Sequence, residues 1–209
     1  MSRTLQTIGV LLGVSAVIIQ FWLAIGRFTV EGLSVAASVV RFFAFFTILT
    51  NIFVVLVHAA GLFAGRFAFF RRPLVVRSAL VAIAIVGIVY HLLLAQLWNP
   101  QGLQYVTDIM LHYAAPVLMI VWWIAYGRTG DARWRDIPLM LAYPIVYVCY
   151  IFVRAPLAGE VPYPFLDYLE NGWPHVLQMI AAILALFVAV SALAVAADRF
   201  LPAAKKSAS

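Results

Sequence analysis

Three polar residues within apolar stretches, Thr47, Asp108 and His112, have the side-chain types of an acyl-transfer site. A threonine hydroxyl is a poor nucleophile until a base removes its proton, and an imidazole can do this near neutral pH. Asp108 precedes His112 by one helical turn, so both lie on one helix face and the carboxylate can orient the imidazole. The three residues predict attack by Thr47 on an ester carbonyl with His112 as general base. The competing interpretation of Asp108 is a cap on the first turn of its helix.

Further polar and aromatic residues extend this candidate site. Asn51 and Tyr90 are predicted to support the catalytic pair as hydrogen-bond donors near an oxyanion. Arg41 is expected either to bind a substrate carboxylate or to pair with the aspartate. Phe43 and Phe46 belong to a phenylalanine-rich run that follows Arg41, and we expect them to line a groove for an acyl chain.

The amino-acid composition indicates whether water or lipid surrounds the chain. Of 209 residues, 66% are hydrophobic and 11% are charged, against roughly 45–50% and about 25% in soluble domains. This excludes a water-soluble fold and predicts that lipid surrounds the protein. The net charge of +6 does not indicate a nucleic-acid partner, because the cations separate apolar runs instead of clustering on one face. The single cysteine, Cys149, excludes an intrachain disulfide.

Six apolar stretches are long enough to cross a bilayer core of about 30 Å, which takes roughly 20 residues in a helix. The predicted fold is therefore all-α, a bundle of six transmembrane helices in a single domain over residues 1–209. Asp136 predicts the start of the fifth helix, and Pro174 fits the first turn of the sixth. The predicted spans cover residues 5–25, 38–63, 78–98, 104–126, 137–153 and 173–195.

The cations between these stretches predict the orientation of the bundle, because cytoplasmic loops carry an excess of positive charge. If the spans alternate in direction, one side keeps only Arg27, Arg41 and Arg154. Both termini are therefore predicted to be cytoplasmic. The other, cation-rich side holds Arg3, Arg66, Arg71, Arg72, Arg77, Arg128, Arg133, Arg135, Arg199, Lys205 and Lys206.

This orientation places several polar side chains at similar depths. At 1.5 Å per residue from the extracytoplasmic end, Thr47 and His112 lie about 12–14 Å inside and His91 lies roughly 10 Å inside. His91 is a further supporting residue of the candidate site. A haem-binding protein with His91 and His112 as the axial pair is one alternative function. A transporter of a small molecule or a lipid is another, for which helices broken at mid-depth are typical.

Two short runs, RFFAFFTILTN at Arg41–Asn51 and LHYAAP at Leu111–Pro116, carry a resemblance to a known family. They resemble the androgen-induced protein and androgen-dependent TFPI-regulating protein family and its bacterial six-span relatives. The resemblance implies a multipass threonine hydrolase that cleaves fatty acid esters of hydroxy fatty acids or similar amphiphilic esters, with Thr47 and His112 as the catalytic pair. The expected location is a bacterial cytoplasmic membrane. A membrane lipid or acyl ester is the expected partner, and no cofactor or metal is expected.

Overall fold

The computed structural model describes residues 2–63 and 65–202, and within these ranges the chain is helical and contains no strand. Lys205 and Lys206, which were counted among the cytoplasmic cations, lie outside the described residues. Short 3₁₀ turns occur in two of the connections, at Ala68–Arg71 and Pro164–Leu166. We number the main helices in chain order: α1 is Ser2–Val30, α2 Val35–Phe42, α3 Phe46–Leu62, α4 Pro73–Leu94, α5 Gly102–Gly127, α6 Trp134–Ala158 and α7 Tyr168–Phe200.

Five helices, α1 and α4 to α7, are each long and apolar enough to cross a membrane, and α2 with α3 form a bent pair that can count as a sixth span. The predicted all-helical class is therefore confirmed, with the long apolar helices of an integral membrane protein. Most helices extend beyond the predicted spans. α7, for example, ends at Phe200 instead of at residue 195, whereas its helical run after the kink at Gly172 (φ 75°) begins where the sequence predicts, at residue 173, with Pro174 in the first turn. Hydropathy marks the apolar part of a helix and not its ends, which explains the difference.

The second predicted span is not one continuous helix. α2 ends at Phe42, α3 begins at Phe46, and the two helices are bent by 68°. In a continuous helix, Phe42 and Phe46 would lie on the same face. The break instead lets Phe42 pack against Phe21 of α1 while Phe46 packs against Tyr147 of α6. The Tyr147 hydroxyl also donates a hydrogen bond of 2.8 Å to the carbonyl of Ala44, which satisfies backbone exposed by the break.

α4 lies at the centre of the bundle, where it contacts α3, α5, α6 and α7. α1 packs on the outside of the bundle, against α3 and α5. The buried face of α1 contains small residues, including Gly9, Gly13 and Ala16, which allow a close approach to α3. Its opposite face exposes large apolar side chains such as Leu11 and Ile18, as a surface in contact with lipid would.

The end of the bundle that contains the start of α4 and the end of α7 holds an ionic cluster around Arg77. The Arg77 guanidinium lies 2.7 Å from Asp131, 3.4 Å from Asp136 and 3.6 Å from Asp198. These ion pairs connect α4 to the segment between α5 and α6, to the first turn of α6 and to α7. The interpretation of Arg77 as a loop cation is wrong, because the residue lies within α4, is 3% exposed and is paired with acids.

Candidate functional site

A cavity of about 360 Å³ lies beside the break between α2 and α3. This volume falls within the range of about 300–1,000 Å³ that small-molecule sites occupy. Residues of α1 to α5 and of the segment between α6 and α7 line the cavity. The structure thus brings together the predicted nucleophile, the predicted base, the predicted orienting acid, one further supporting residue and the predicted substrate-binding arginine. These are Thr47, His112, Asp108, Tyr90 and Arg41.

His112 is held on two sides. Its Nδ1 atom lies 3.1 Å from the backbone oxygen of Asp108 and 3.2 Å from the Asp108 carboxylate. Its ring stacks on the ring of Tyr90, with centroids 3.7 Å apart. Because both contacts with Asp108 involve Nδ1, they favour the tautomer with the proton on Nδ1 and leave Nε2 as the basic nitrogen.

The Asp108 carboxylate is buried and connects α4 to α5. It accepts a hydrogen bond of 2.5 Å from the Tyr90 hydroxyl, which in turn accepts one of 3.2 Å from the indole N–H of Trp98. This chain of hydrogen bonds fixes the carboxylate where it faces His112. The interpretation of Asp108 as a helix cap is wrong, because α5 begins at Gly102 and the carboxylate contacts side chains beyond the first turn.

The stacked rings lie in two π-helical turns, Tyr90–Leu94 in α4 and Met110–Ala114 in α5. A π turn adds a residue to the helical repeat and is frequent at functional sites. Pro116 accompanies the second turn, because a proline has no N–H for the carbonyl of the residue one turn earlier, here His112. Gly87 allows α4 to approach this point, since a Cβ there would lie 3.1 Å from the same carbonyl oxygen.

Thr47 lies in the first turn of α3, directly after the break. Its backbone N–H donates a hydrogen bond of 3.4 Å to the hydroxyl of Tyr163, which lies between α6 and α7. Burial raises the pKa of Tyr163, so this hydroxyl stays protonated. The N-terminus of α3 also carries the positive end of a helix dipole. The Tyr163 hydroxyl and the N-terminus of α3 therefore both favour negative charge that develops next to Thr47.

Asn51 connects the segments that carry Thr47 and His112. Its side-chain amide donates to the carbonyl of Thr47 at 2.8 Å and to the carbonyl of Leu111 at 3.3 Å. Leu111 directly precedes His112, so a single buried side chain fixes α3 relative to the π turn. The predicted oxyanion role of Asn51 is not what the structure shows, because its N–H groups point to these carbonyls. The same holds for Tyr90, whose hydroxyl donates to the aspartate.

Arginines and glutamates form a network at the cavity. Arg41 pairs with Glu31 at 3.1 Å and with Glu160 at 2.8 Å. Arg154 lies 2.8 Å from the other oxygen of Glu160. The ion pair between Arg41 and Asp108, one of the two predicted roles of this arginine, is therefore replaced by pairs with glutamates. The network ties α2 to the end of α1 and to the segment that follows α6.

Four of the predicted site residues do not line this cavity: Asn51, whose contacts are given above, and His91, Phe43 and Phe46. His91 is exposed, and its Nδ1 atom lies 3.2 Å from the Tyr113 hydroxyl. The structure thus does not favour haem binding between His91 and His112, because only His112 lines the cavity. Phe43 is exposed, and Phe46 lines a separate, apolar cavity. In the part of the chain that the structure describes, no group of three or more His, Cys, Asp or Glu is placed to hold a metal ion.

Two further residues of the site, Tyr163 and Trp98, are not singled out by any pattern of polar residues in the sequence. Both lie in connections between helices, and both contact residues that the sequence does single out. An aromatic residue near the end of a span indicates only an interfacial belt. Tyr163 stands between Pro162 and Pro164, a pattern that restricts the backbone and predicts a rigid segment. The two flanking prolines are the one feature of the sequence which indicates that Tyr163 has a fixed position.

Comparison of the chain with protein-family models, with curated proteins and with solved structures finds no match. Fold and site together define an all-helical protein with long apolar helices and a cavity between them that is lined by apolar side chains and several polar ones. Membership of the androgen-induced protein family stays a prediction that rests on the two runs at residues 41–51 and 111–116.

Proposed function

We propose that the protein is an intramembrane ester hydrolase in which Thr47 is the nucleophile and His112 is the general base. The observation that carries this proposal is that both residues line one cavity, with Asp108 against the imidazole. The substrate is a carboxylic ester of an amphiphile. Fatty acid esters of hydroxy fatty acids are the example that the resemblance of the two runs implies.

The reaction has two half-reactions. The Oγ1 atom of Thr47 attacks the ester carbonyl, and its proton passes to Nε2 of His112. The tetrahedral intermediate expels the alkoxide, which takes the proton from His112 and leaves as the alcohol. Water then attacks the acyl-threonine, gives a proton to His112, and the carboxylic acid leaves as the proton returns to Thr47. The sum is ester plus water to acid plus alcohol.

Charge that develops in these steps is matched by groups around the nucleophile and the base. The carbonyl oxygen becomes negative and needs hydrogen-bond donors or a positive dipole. The protonated hydroxyl of Tyr163 and the N-terminus of α3 lie beside Thr47 and can provide both. Asp108, held by Tyr90, stabilises the imidazolium that forms on His112.

We place the cavity on the extracytoplasmic side of a bacterial cytoplasmic membrane, with both termini in the cytoplasm. The support is the excess of arginine and lysine in the segments on the side of the termini. A substrate dissolved in the bilayer gains much less than the roughly 0.8 kcal/mol per methylene available from water. Orientation of the ester at Thr47 therefore contributes more to the rate than affinity does.

Hydrolysis of p-nitrophenyl esters by the purified full-length protein tests this proposal. Thr47→Ala removes the nucleophile and is expected to lower turnover at least about 10³-fold, with little change in the thermal unfolding temperature. Thr50→Ala is the matched control, because Thr50 is buried on the same helix but bonds to Tyr143 and does not line the cavity. Equal rates for Thr47→Ala and the wild-type protein would remove Thr47 as the nucleophile.

A transporter is the second candidate function, and the broken helix favours it. Discontinuous helices whose ends point into a cavity are typical of secondary transporters. α2 and α3 meet at a 68° bend beside Thr47. Counterflow of a polar solute in liposomes, without ester cleavage, would favour transport over hydrolysis.

A further inference from the structure

A second cavity, of about 80 Å³, lies among α3, α4, α6 and α7. Its lining is apolar except for Thr47 and two tyrosines, Tyr147 and Tyr163. Thr47, Tyr163 and Leu94 line both this cavity and the larger one. The proposed nucleophile therefore stands at the boundary between two spaces.

The two spaces differ in chemistry. Gln20, Gln104, Arg27, Arg41 and Asp108 contribute polar groups to the larger cavity, whereas the smaller cavity is lined mainly by branched aliphatic and phenylalanine side chains. An ester carbonyl carries two arms, the acyl chain and the alkoxy group, which diverge from the carbon that the nucleophile attacks. A nucleophile between a partly polar space and an almost entirely apolar one has a separate place for each arm.

We propose that the smaller cavity is the acyl-chain subsite, so that the chain extends from the carbonyl at Thr47 between α6 and α7. The alkoxy portion then occupies the larger cavity, which contains the polar side chains. This inference rests on the proposed function and names its substrate class, an ester of an unbranched acyl chain with a polar alcohol portion.

The size of the subsite limits how much of the chain it encloses. At about 80 Å³, it has about half the volume of the roughly 150 Å³ cavity that binds benzene. It therefore encloses only the first few carbon atoms of a chain. Carbon atoms beyond these follow the half-buried side chains of Val148 and Leu184 towards the surface of the bundle.

A series of p-nitrophenyl esters from acetate to decanoate, assayed with the full-length protein, tests the inference. We expect kcat/KM to rise by up to about fourfold for each of the first few methylenes and then to level off. Ile183→Phe fills the subsite and is expected to lower kcat/KM for the hexanoate at least about tenfold, with the acetate within about twofold. Leu177→Phe is the matched control, because Leu177 is exposed on the same helix and lines neither cavity.

Two outcomes separate failure of this inference from failure of the proposed function. Thr47-dependent hydrolysis whose chain-length profile is unchanged in Ile183→Phe would overturn the acyl subsite and leave the hydrolase intact. If no ester is cleaved, a hexanoic acid probe with a terminal diazirine gives an independent measurement. In that case the hydrolase is already refuted. Crosslinks to Val148 or Leu184 that are lost in Ile183→Phe would still support the acyl-chain site. Crosslinks only to exposed side chains such as Leu177 would overturn both.

Discussion

Two histidines lie deep within the apolar helices, and only one has the surroundings of a reactive group. His112 faces Asp108, stacks on Tyr90 and lines the larger cavity. His58 is 1% exposed and lies edge-on to Trp122, with ring centroids 5.1 Å apart. Among the described residues, neither ring nitrogen of His58 has a hydrogen-bond partner. A partner that fixes the tautomer and a space for a substrate therefore distinguish the two residues, whereas burial does not.

The packing of α1 accounts for His58. Its ring fills the space opposite Gly9 of α1, where a Cβ would collide with it. Small residues at such an interface let two apolar helices approach closely, and a flat ring fits between them. His58 is thus a packing residue, which makes it a control for every experiment on His112.

The largest difference in the rate of ester hydrolysis is expected between His112→Ala and His58→Leu. His112→Ala removes the proposed general base, so ester hydrolysis should fall at least about 10³-fold. His58→Leu keeps the volume and removes two unpartnered nitrogens, each of a kind that costs about 1–3 kcal/mol when buried. Its activity should stay within about twofold, and its free energy of unfolding should be equal or higher. Steady-state kinetics measures the activity of the two variants, and thermal unfolding measures their stability. A His58→Leu protein that is folded but inactive would contradict the assignment of His58 as a packing residue.

Asp108→Asn should have the next largest effect, because it keeps the shape of the side chain and removes the charge that faces His112. An amide group against Nδ1 favours the wrong tautomer, and the imidazolium loses its counter-charge. We expect kcat to fall about 10²- to 10⁴-fold with little change in KM. Tyr90→Phe, which removes the hydrogen bond to the carboxylate and the one accepted from the Trp98 indole, should lower kcat about tenfold. Wild-type kcat in Asp108→Asn would mean that the carboxylate only holds α4 and α5 together.

Asn51→Leu is expected to lower both stability and activity to an intermediate degree. The variant leaves the carbonyls of Thr47 and Leu111 without their shared amide donor, which costs about 1–3 kcal/mol. Because α3 and the π turn of α5 are then no longer fixed to each other, kcat should fall about 10- to 100-fold. Thermal unfolding and steady-state kinetics measure the two effects. A lower unfolding temperature with unchanged kcat would limit Asn51 to a structural role.

The smallest effect is expected from Gly87→Ala. The added Cβ would lie 3.1 Å from the carbonyl oxygen of His112, so the π turn must shift by a few tenths of an ångström. We expect kcat to fall about three- to tenfold. Gly26→Ala is the matched control, because nothing lies within 4 Å of a Cβ at that position in α1. Equal kcat values for the two variants would show that the position of His112 is not critical.

Much of the fold and part of the site could be predicted from the sequence. Bilayer thickness dictates the length of an apolar helix, so the helices follow from the hydropathy pattern. Polar side chains in apolar helices avoid lipid and turn towards the interior of the bundle. This is why Thr47, Asp108 and His112 could be expected to share one space. The i,i+4 spacing also predicted the contact between the last two.

The remaining features depend on contacts between distant segments. The break after Phe42 occurs without proline or glycine, because the pockets for Phe42 and Phe46 lie on different helices, α1 and α6. The approach of Tyr163 to Thr47 and the ion pair of Arg41 with Glu160 depend on the path of the chain after α6. Local sequence patterns contain no information on that path.

Labelling with an alkyl fluorophosphonate, followed by mass spectrometry of the modified peptide, tests most directly whether Thr47 and His112 act as a pair. We predict a single modified residue, Thr47, whose labelling is lost in His112→Ala and retained in His58→Leu. Thr47 labelling that persists in His112→Ala, or modification of another residue that survives in Thr47→Ala, would contradict the pairing.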